Sequence, residues 1–344
     1  MRLIPAACAV SAVLFAAVPV LADDNAPAVP KAVKLVDVVD ELHAGKAREI
    51  FIEGPAVDAD GSVLFSDEAH LPESRILKWD PAARKLTVWR EKANRANGMT
   101  FDAEGRLITC EGSRNPGGAR RVARRERDGT VTVLADSYGG KKLNSPNDAV
   151  VDRAGRVWFT DACYLKPKDD VEQDCEGVYR IDRPGTPQAK VVRVLGKGEV
   201  VRPNGIAVST DEKTLYVSDS PGEKGVRELL LAYDIAADGS LSGRRVVYDF
   251  GPERGIDGMR LDRDGLIYGT AGAGAKSGIY VIDPRDRSSP GKLVMTVPLP
   301  ETPGNCAWGG PDGRTLYVTA SRGLYAIRFP ARGSGLFPAA LSAP

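Results

Sequence analysis

The sequence predicts an all-β chain folded as a six-bladed β-propeller. A strand–turn–strand phrase recurs six times, the composition is rich in turn formers, and equivalent repeat positions carry one class of side chain. The phrase is an apolar strand, a D-x-x-G type turn and a second apolar strand. It reads VDADGSVLFSD (57–67), FDAEGRLITCE (101–111), VDRAGRVWFTD (151–161), VSTDEKTLYVSD (208–219), LDRDGLIYGTA (261–271) and GGPDGRTLYVTA (309–320). A third strand follows each, as in RILKWDP (75–81) and GIYVIDPR (278–285), and a fourth follows most, as in KLTVWRE (85–91) and AKVVRVL (189–195). Four short strands per unit, at spacings of 44 to 57 residues, is the pattern of propeller blades. A β-sandwich would not repeat its sequence, and a parallel β-helix repeats at shorter intervals. The last unit lacks a fourth strand after Arg328, and VKLVDVVD (33–40) alternates like a spare one, so the N-terminal strand is expected to complete that blade and close the ring.

The composition narrows the classes of function. With 47 Lys+Arg against 46 Asp+Glu in 344 residues, the net charge of +1 leaves no basic footprint for nucleic acid and no acidic tail. Apolar residues at 42% and charged residues at 27% are globular proportions, and 37 Gly with 24 Pro favour turns over long helices. Two His exclude a His-rich zinc site and a His dyad. At the N-terminus, Arg2 precedes an apolar run from Leu3 to Leu21 that ends in Val20-Leu21-Ala22 before Asp23-Asp24, the pattern of a signal peptide cleaved after Ala22. An uncleaved anchor is the alternative. The expected organisation is a signal peptide at 1–22, a flexible lead-in at 23–33, a single propeller domain at 34–335 and a tail at 336–344. The mature protein is then exported, to the periplasm or the medium, and free of the membrane. The Asp58-x-Asp60-Gly61 phrase and its relatives read as hairpin turns, because a calcium loop of the EF-hand type needs a longer run of ligands and flanking helices.

Alignment of the units on their turns exposes a column eight residues earlier: Glu53, Asn97, Asn147, Asn204, Asp257 and Asn305. Every member is a carboxylate or a carboxamide. Each opens the innermost strand of its blade, so the six side chains are expected to ring the central channel at one depth. Two carboxylates held close in a partly buried channel repel one another and take up protons unless a cation joins them. An all-oxygen donor set suits Ca2+, Mg2+ or Mn2+ better than zinc, so the channel is expected to bind metal. Strand polarity places Asp67, Glu111, Asp161 and Asp219 on the same rim, with the loops at 66–75, carrying His70, and at 161–176, carrying Cys163 and Cys175.

Glu53-Gly54-Pro55, Ser145-Pro146-Asn147-Asp148, Arg202-Pro203-Asn204-Gly205 and Asp257-Gly258 resemble the signatures of the senescence-marker-protein-30/gluconolactonase/luciferin-regenerating family, over roughly residues 45–328. The resemblance implies a six-bladed propeller with one divalent metal in its channel. It implies Glu53, Asn204 and Asp257 as metal ligands, Asn147 as a ligand or substrate contact, and Asp257 as general base. The sequence departs from many members at Ser145, where some carry Arg, at Gly112, where many bacterial lactonases carry His, and in the Arg-rich stretch at 112–121.

The expected function is metal-dependent hydrolysis of a lactone, in particular a sugar lactone. One divalent metal, Ca2+ first with Mg2+, Mn2+ or Zn2+ as alternatives, would be held by Glu53, Asn147, Asn204 and Asp257. It would act as Lewis acid and water activator, with Asp257 as base or water orienter. Asn97, Glu111, Asn305 and His70 are the candidate substrate contacts. A phosphotriesterase on the same calcium site and a non-catalytic ligand-binding propeller are the alternatives. Export and a separation of 11 residues within one loop also predict a Cys163–Cys175 disulfide, worth about 3 kcal/mol in the chain-entropy picture.

Overall fold

The computed structural model describes residues 29–43, 51–67, 74–112, 118–164, 171–288 and 290–335. The signal segment, most of the lead-in, the C-terminal tail and His70 lie outside these residues. Each predicted unit is a four-stranded antiparallel sheet, and in blades one to five the strands pair in sequence order. Blade one comprises Ile52–Val57, Val63–Asp67, Arg75–Asp80 and Lys85–Arg90; blade two comprises Ala96–Phe101, Leu107–Glu111, Arg121–Arg125 and Val131–Ala135. Blade three comprises Pro146–Val151, Val157–Asp161, Gly177–Asp182 and Lys190–Leu195; blade four comprises Pro203–Val208, Thr214–Asp219, Glu228–Ile235 and Leu241–Gly251. Blade five comprises Met259–Leu261, Ile267–Ala271, Gly278–Asp283 and Lys292–Pro298. Blade six joins Pro303–Gly309, Thr315–Ala320 and Gly323–Arg328 to the N-terminal strand Ala32–Asp37, which pairs antiparallel with Gly323–Arg328. The first and last parts of the described chain thus share one sheet, and the ring closes there.

Two boundaries differ from those expected. The closing strand starts at Ala32, inside the anticipated lead-in, and it stops at Asp37 because Val38–His43 form a short helix. Asp37 caps that helix, its Oδ1 accepting the amide of Val39 at 3.1 Å, and the buried Val38 and Val39 pack into the seam with blade one. Strand alternation across 33–40 therefore ends where a capping carboxylate turns the chain.

The apolar core is six seams, one between each pair of neighbouring blades. Ala56, Leu64, Ile76, Met99 and Leu107 join blades one and two. Ile108, Val122, Val157, Phe159 and Tyr179 join two and three, with the Phe159 and Tyr179 rings stacked. Trp158, Ile206, Val217 and Leu231 join three and four, whereas Leu230, Met259 and Ile267 join four and five. Ile279, Trp308 and Leu316 join five and six, and Phe65, Leu77 and Leu324 join six and one. A sheet buries one face against each neighbour, so every blade depends on both of its neighbours, and only a closed ring satisfies all six. The six inner strands contact one another in order, the last returning to the first. Among the described residues, no helix is long and apolar enough to cross a membrane.

Candidate functional site

The column residues occur where the inner strands begin, and in four blades the next residue is glycine: Gly54, Gly98, Gly205 and Gly258. The glycines let the blades close up around the axis. A side-chain carbon on Gly54 would overlap the Asn97 carbonyl oxygen, one on Gly205 the Asp257 carbonyl oxygen, and one on Gly258 the Asn305 carboxamide. On Gly98 it would stand 2.5 Å from both the Asn147 carbonyl oxygen and Asp148 Oδ1. Backbone-to-backbone contact is thus what brings consecutive column members together.

Blade three breaks the glycine pattern with Asp148. Its side chain is fully buried, and burial pushes its pKa up. Asn305 Nδ2 of blade six approaches Asp148 Oδ2 at 3.4 Å, and Arg260 Nη1 of blade five approaches it at 3.5 Å. The Arg260 guanidinium also donates to the Met259 carbonyl at 2.7 Å and to the Met99 carbonyl at 3.5 Å. Side chains of blades three, five and six, with a carbonyl of blade two, therefore meet across the axis.

Asn204 and Asp257 face one cavity of about 430 Å³, lined also by Tyr164, Ser220, Lys224 and Arg254. Burial raises the pKa of Asp257, opposed by Arg254 and by a hydrogen bond from the Asn204 side chain. Arg254 Nη2 lies 2.5 Å from Asp257 Oδ2, while its Nη1 donates to the Gly272 carbonyl at 3.2 Å. Glu53 is buried, its Oε2 accepting the Gly54 amide at 3.0 Å. Asn147 is half-buried, and its carboxamide makes no hydrogen bond among the described residues. Among those residues, no three Asp, Glu, His or Cys side chains group as a metal site. A cation here would need carboxamides as well as the two carboxylates, and that all-oxygen set fits a hard divalent ion. A larger cavity of about 530 Å³ opens among the far-side turns, walled by Ala56, Met99, Ile206 and Trp308, and none of the six column residues lines it.

Residues 51–322 match the SMP-30/gluconolactonase/LRE-like region. The chain belongs to this family. It is 28% identical over 329 residues to a gluconolactonase of Zymomonas mobilis, spanning 87% of this chain and 84% of that one. A crystal structure of a putative gluconolactonase superposes with a TM-score of 0.71 at 30% identity, over 89% of this chain and 94% of that one. A gluconolactonase of Xanthomonas campestris superposes with a TM-score of 0.68 at 29% identity, over 88% and 90% of the two chains.

One expectation, the disulfide, needs correction, and two candidate substrate contacts are engaged inside the protein. Glu111 ends its strand as anticipated, and it is fully buried with both carboxylate oxygens engaged by the protein. Its oxygens accept Arg90 Nη1 at 3.1 Å, Arg121 Nε at 2.7 Å, Asn94 Nδ2 at 3.0 Å and Thr109 Oγ1 at 3.3 Å. Asn305 is likewise buried, with Oδ1 on the Cys306 amide at 2.8 Å and Nδ2 toward Asp148, so its carboxamide serves the channel interior. Cys163 and Cys175 are both free thiols. Cys163 is buried, its amide donating to Glu176 at 2.9 Å, while the Cys175 thiol turns to Arg193 Nη1 at 3.4 Å. Asn97 remains half-buried beside Gly54, its carbonyl accepting Ser66 Oγ at 3.1 Å.

The sequence reading missed Arg254, Arg260 and Asp148. Asp148 had a signal, being the residue that follows its column member where four other blades have glycine. Arg254 had none, because its position three residues before Asp257 is not periodic across the blades. Arg254→Met is expected to lower activity by about 10–100-fold, as loss of a carboxylate-orienting partner does, with an unchanged circular-dichroism spectrum.

Proposed function

We propose that this protein hydrolyses lactones, sugar lactones in particular, at the cavity shared by Asn204 and Asp257, with a divalent cation held by Glu53, Asn147, Asn204 and Asp257. The observation that carries the reading is that Asn204 and Asp257, two column residues from different blades, face one cavity, in a chain of a family whose named relatives include gluconolactonases. A bound divalent cation supplies Lewis acidity to the lactone carbonyl and lowers the pKa of water.

The protein's own groups supply the rest. Asp257 accepts a hydrogen bond from the attacking water and orients it, or takes its proton. Arg254 fixes the second carboxylate oxygen, so the first has one orientation. Asn97, at the start of the inner strand of blade two, offers a carboxamide to a sugar hydroxyl. Water adds to the carbonyl carbon, the ring C–O bond breaks, and the proton goes to the departing ring oxygen. No nucleophilic Ser and no His is required.

The test is a substrate panel of aldono-1,5-lactones, simple aliphatic lactones and an aryl phosphotriester, assayed with and without chelator. The proposal expects fast opening of aldonolactones, lost on chelation and restored by Ca2+. Preference for the phosphotriester would transfer the site to the other reaction. Inertness toward every lactone would remove the enzymatic reading.

A further inference from the structure

We infer that Asp161 and Asp219 are positioning residues: each clamps the loop that delivers a ligand carboxamide, Asn147 in blade three and Asn204 in blade four, and so sets the cation affinity of the site. The inference rests on the reading of Glu53, Asn147, Asn204 and Asp257 as a cation site.

The same construction occurs in both blades. Asp161 ends the second strand of blade three and is fully buried; its Oδ2 accepts the Asn144 amide at 2.8 Å and its Oδ1 the Ser145 amide at 2.7 Å. Asp219 ends the second strand of blade four and is buried; its Oδ1 accepts the Val201 amide at 3.0 Å and the Arg202 amide at 2.7 Å. The clamped amides lie three and two residues ahead of the two asparagines. Between clamp and asparagine stands a single proline, Pro146 or Pro203, and that proline is the cross-strand partner of the clamping aspartate. Proline fixes its own φ and restricts the residue before it, so little slack remains between the carboxylate and the asparagine backbone.

Amide clamping is seen in both blades that supply carboxamide ligands; at the equivalent position of blade one, Asp67 accepts Arg75 Nη2 at 2.6 Å beside the carboxylate Glu53. At the equivalent position of blade two, Glu111 holds side chains of Arg90, Arg121 and Asn94, and Asn97 is not a ligand in this reading. Blades five and six have Ala271 and Ala320 there, and Asp257 is instead held directly by Arg254. A neutral carboxamide is a weak donor toward a cation that must shed water, so its contribution depends on being held in place beforehand.

The experiment measures Ca2+ binding calorimetrically on chelator-treated full-length protein, together with amide hydrogen exchange. Variants are Asp161→Asn and Asp219→Asn, with Asp152→Asn as comparator. Asp152 is a buried carboxylate of a far-side turn that holds the Arg156 amide at 2.9 Å and Trp158 Nε1 at 2.8 Å. Asp161→Asn and Asp219→Asn are expected to weaken Ca2+ affinity by about 10–100-fold each and to speed exchange at Ser145 and Arg202 respectively. Asp152→Asn should lower the unfolding temperature yet leave affinity within about twofold, since its contacts lie away from the donors. If an Asn variant does not fold, the Glu variant keeps the acceptor charge while displacing it by one methylene, and its affinity must fall. Variants that bind Ca2+ like wild type, or an Asp152→Asn variant that loses as much affinity, would overturn the inference and leave the cation site standing. Wild-type protein that binds no Ca2+, Mg2+ or Mn2+ would overturn the site itself, and the inference with it.

Discussion

Asp257→Ala is expected to abolish lactone turnover and to weaken cation binding sharply, because it removes one of two anionic donors together with the candidate base. Asp257→Asn separates the two roles. It keeps an oxygen donor of similar shape but loses the charge, the proton acceptor and the pairing with Arg254 at 2.5 Å. If the carboxylate serves chiefly as a ligand, saturating Ca2+ restores most of the rate. If it also handles the proton, kcat stays low by about 10²–10⁴-fold at saturation. Initial rates across a Ca2+ series decide between them. Asn97→Ala should instead raise KM with metal affinity nearly unchanged, as loss of a substrate contact does.

The second large effect is on folding. Gly54 has φ of +49°, and a methyl group there would overlap the Asn97 carbonyl of the next blade. Gly54→Ala combines left-handed strain with a backbone collision that neither blade can relieve without opening the ring, an expected cost of about 3–5 kcal/mol. Gly61 is the control. Its φ is +83° and nothing lies within 4 Å, so Gly61→Ala meets strain alone and costs about 1–2 kcal/mol. Denaturant midpoints of the two variants should differ clearly in that order. Equal midpoints would show that the close approach at the axis does not matter to stability.

The blades were legible because each hairpin is marked by its turn, as in Asp152 to Gly155, where the Gly155 amide returns to the Asp152 carbonyl at 2.9 Å. The column was legible for the same reason: it keeps a fixed distance from those turns. What lacked a period could not be read. Glu111 and Asp219 occupy equivalent places in the repeat, yet one holds side chains and the other holds amides, a difference set by Arg90 and Arg121 on neighbouring strands. Asn305 aligns with Asn147 in sequence, but Asp148 across the axis draws it inward. The cysteine spacing suited a bridge in length, but the Cys163 backbone amide is held by Glu176 and the Cys175 thiol accepts from Arg193, partners that the spacing does not contain. Helix formation at Val38–His43 overrode strand alternation through a single cap at Asp37.

In the proposed site, side-chain oxygens from separate blades converge on one divalent cation. Calorimetric titration of Ca2+ into chelator-treated protein tests it most directly, with wild type beside the double variant Glu53→Ala/Asp257→Ala. One site per chain is expected in the wild type, and no measurable site in a double variant that retains its β-sheet spectrum. A wild type without a site, or a folded double variant that binds with wild-type affinity and stoichiometry, would contradict it.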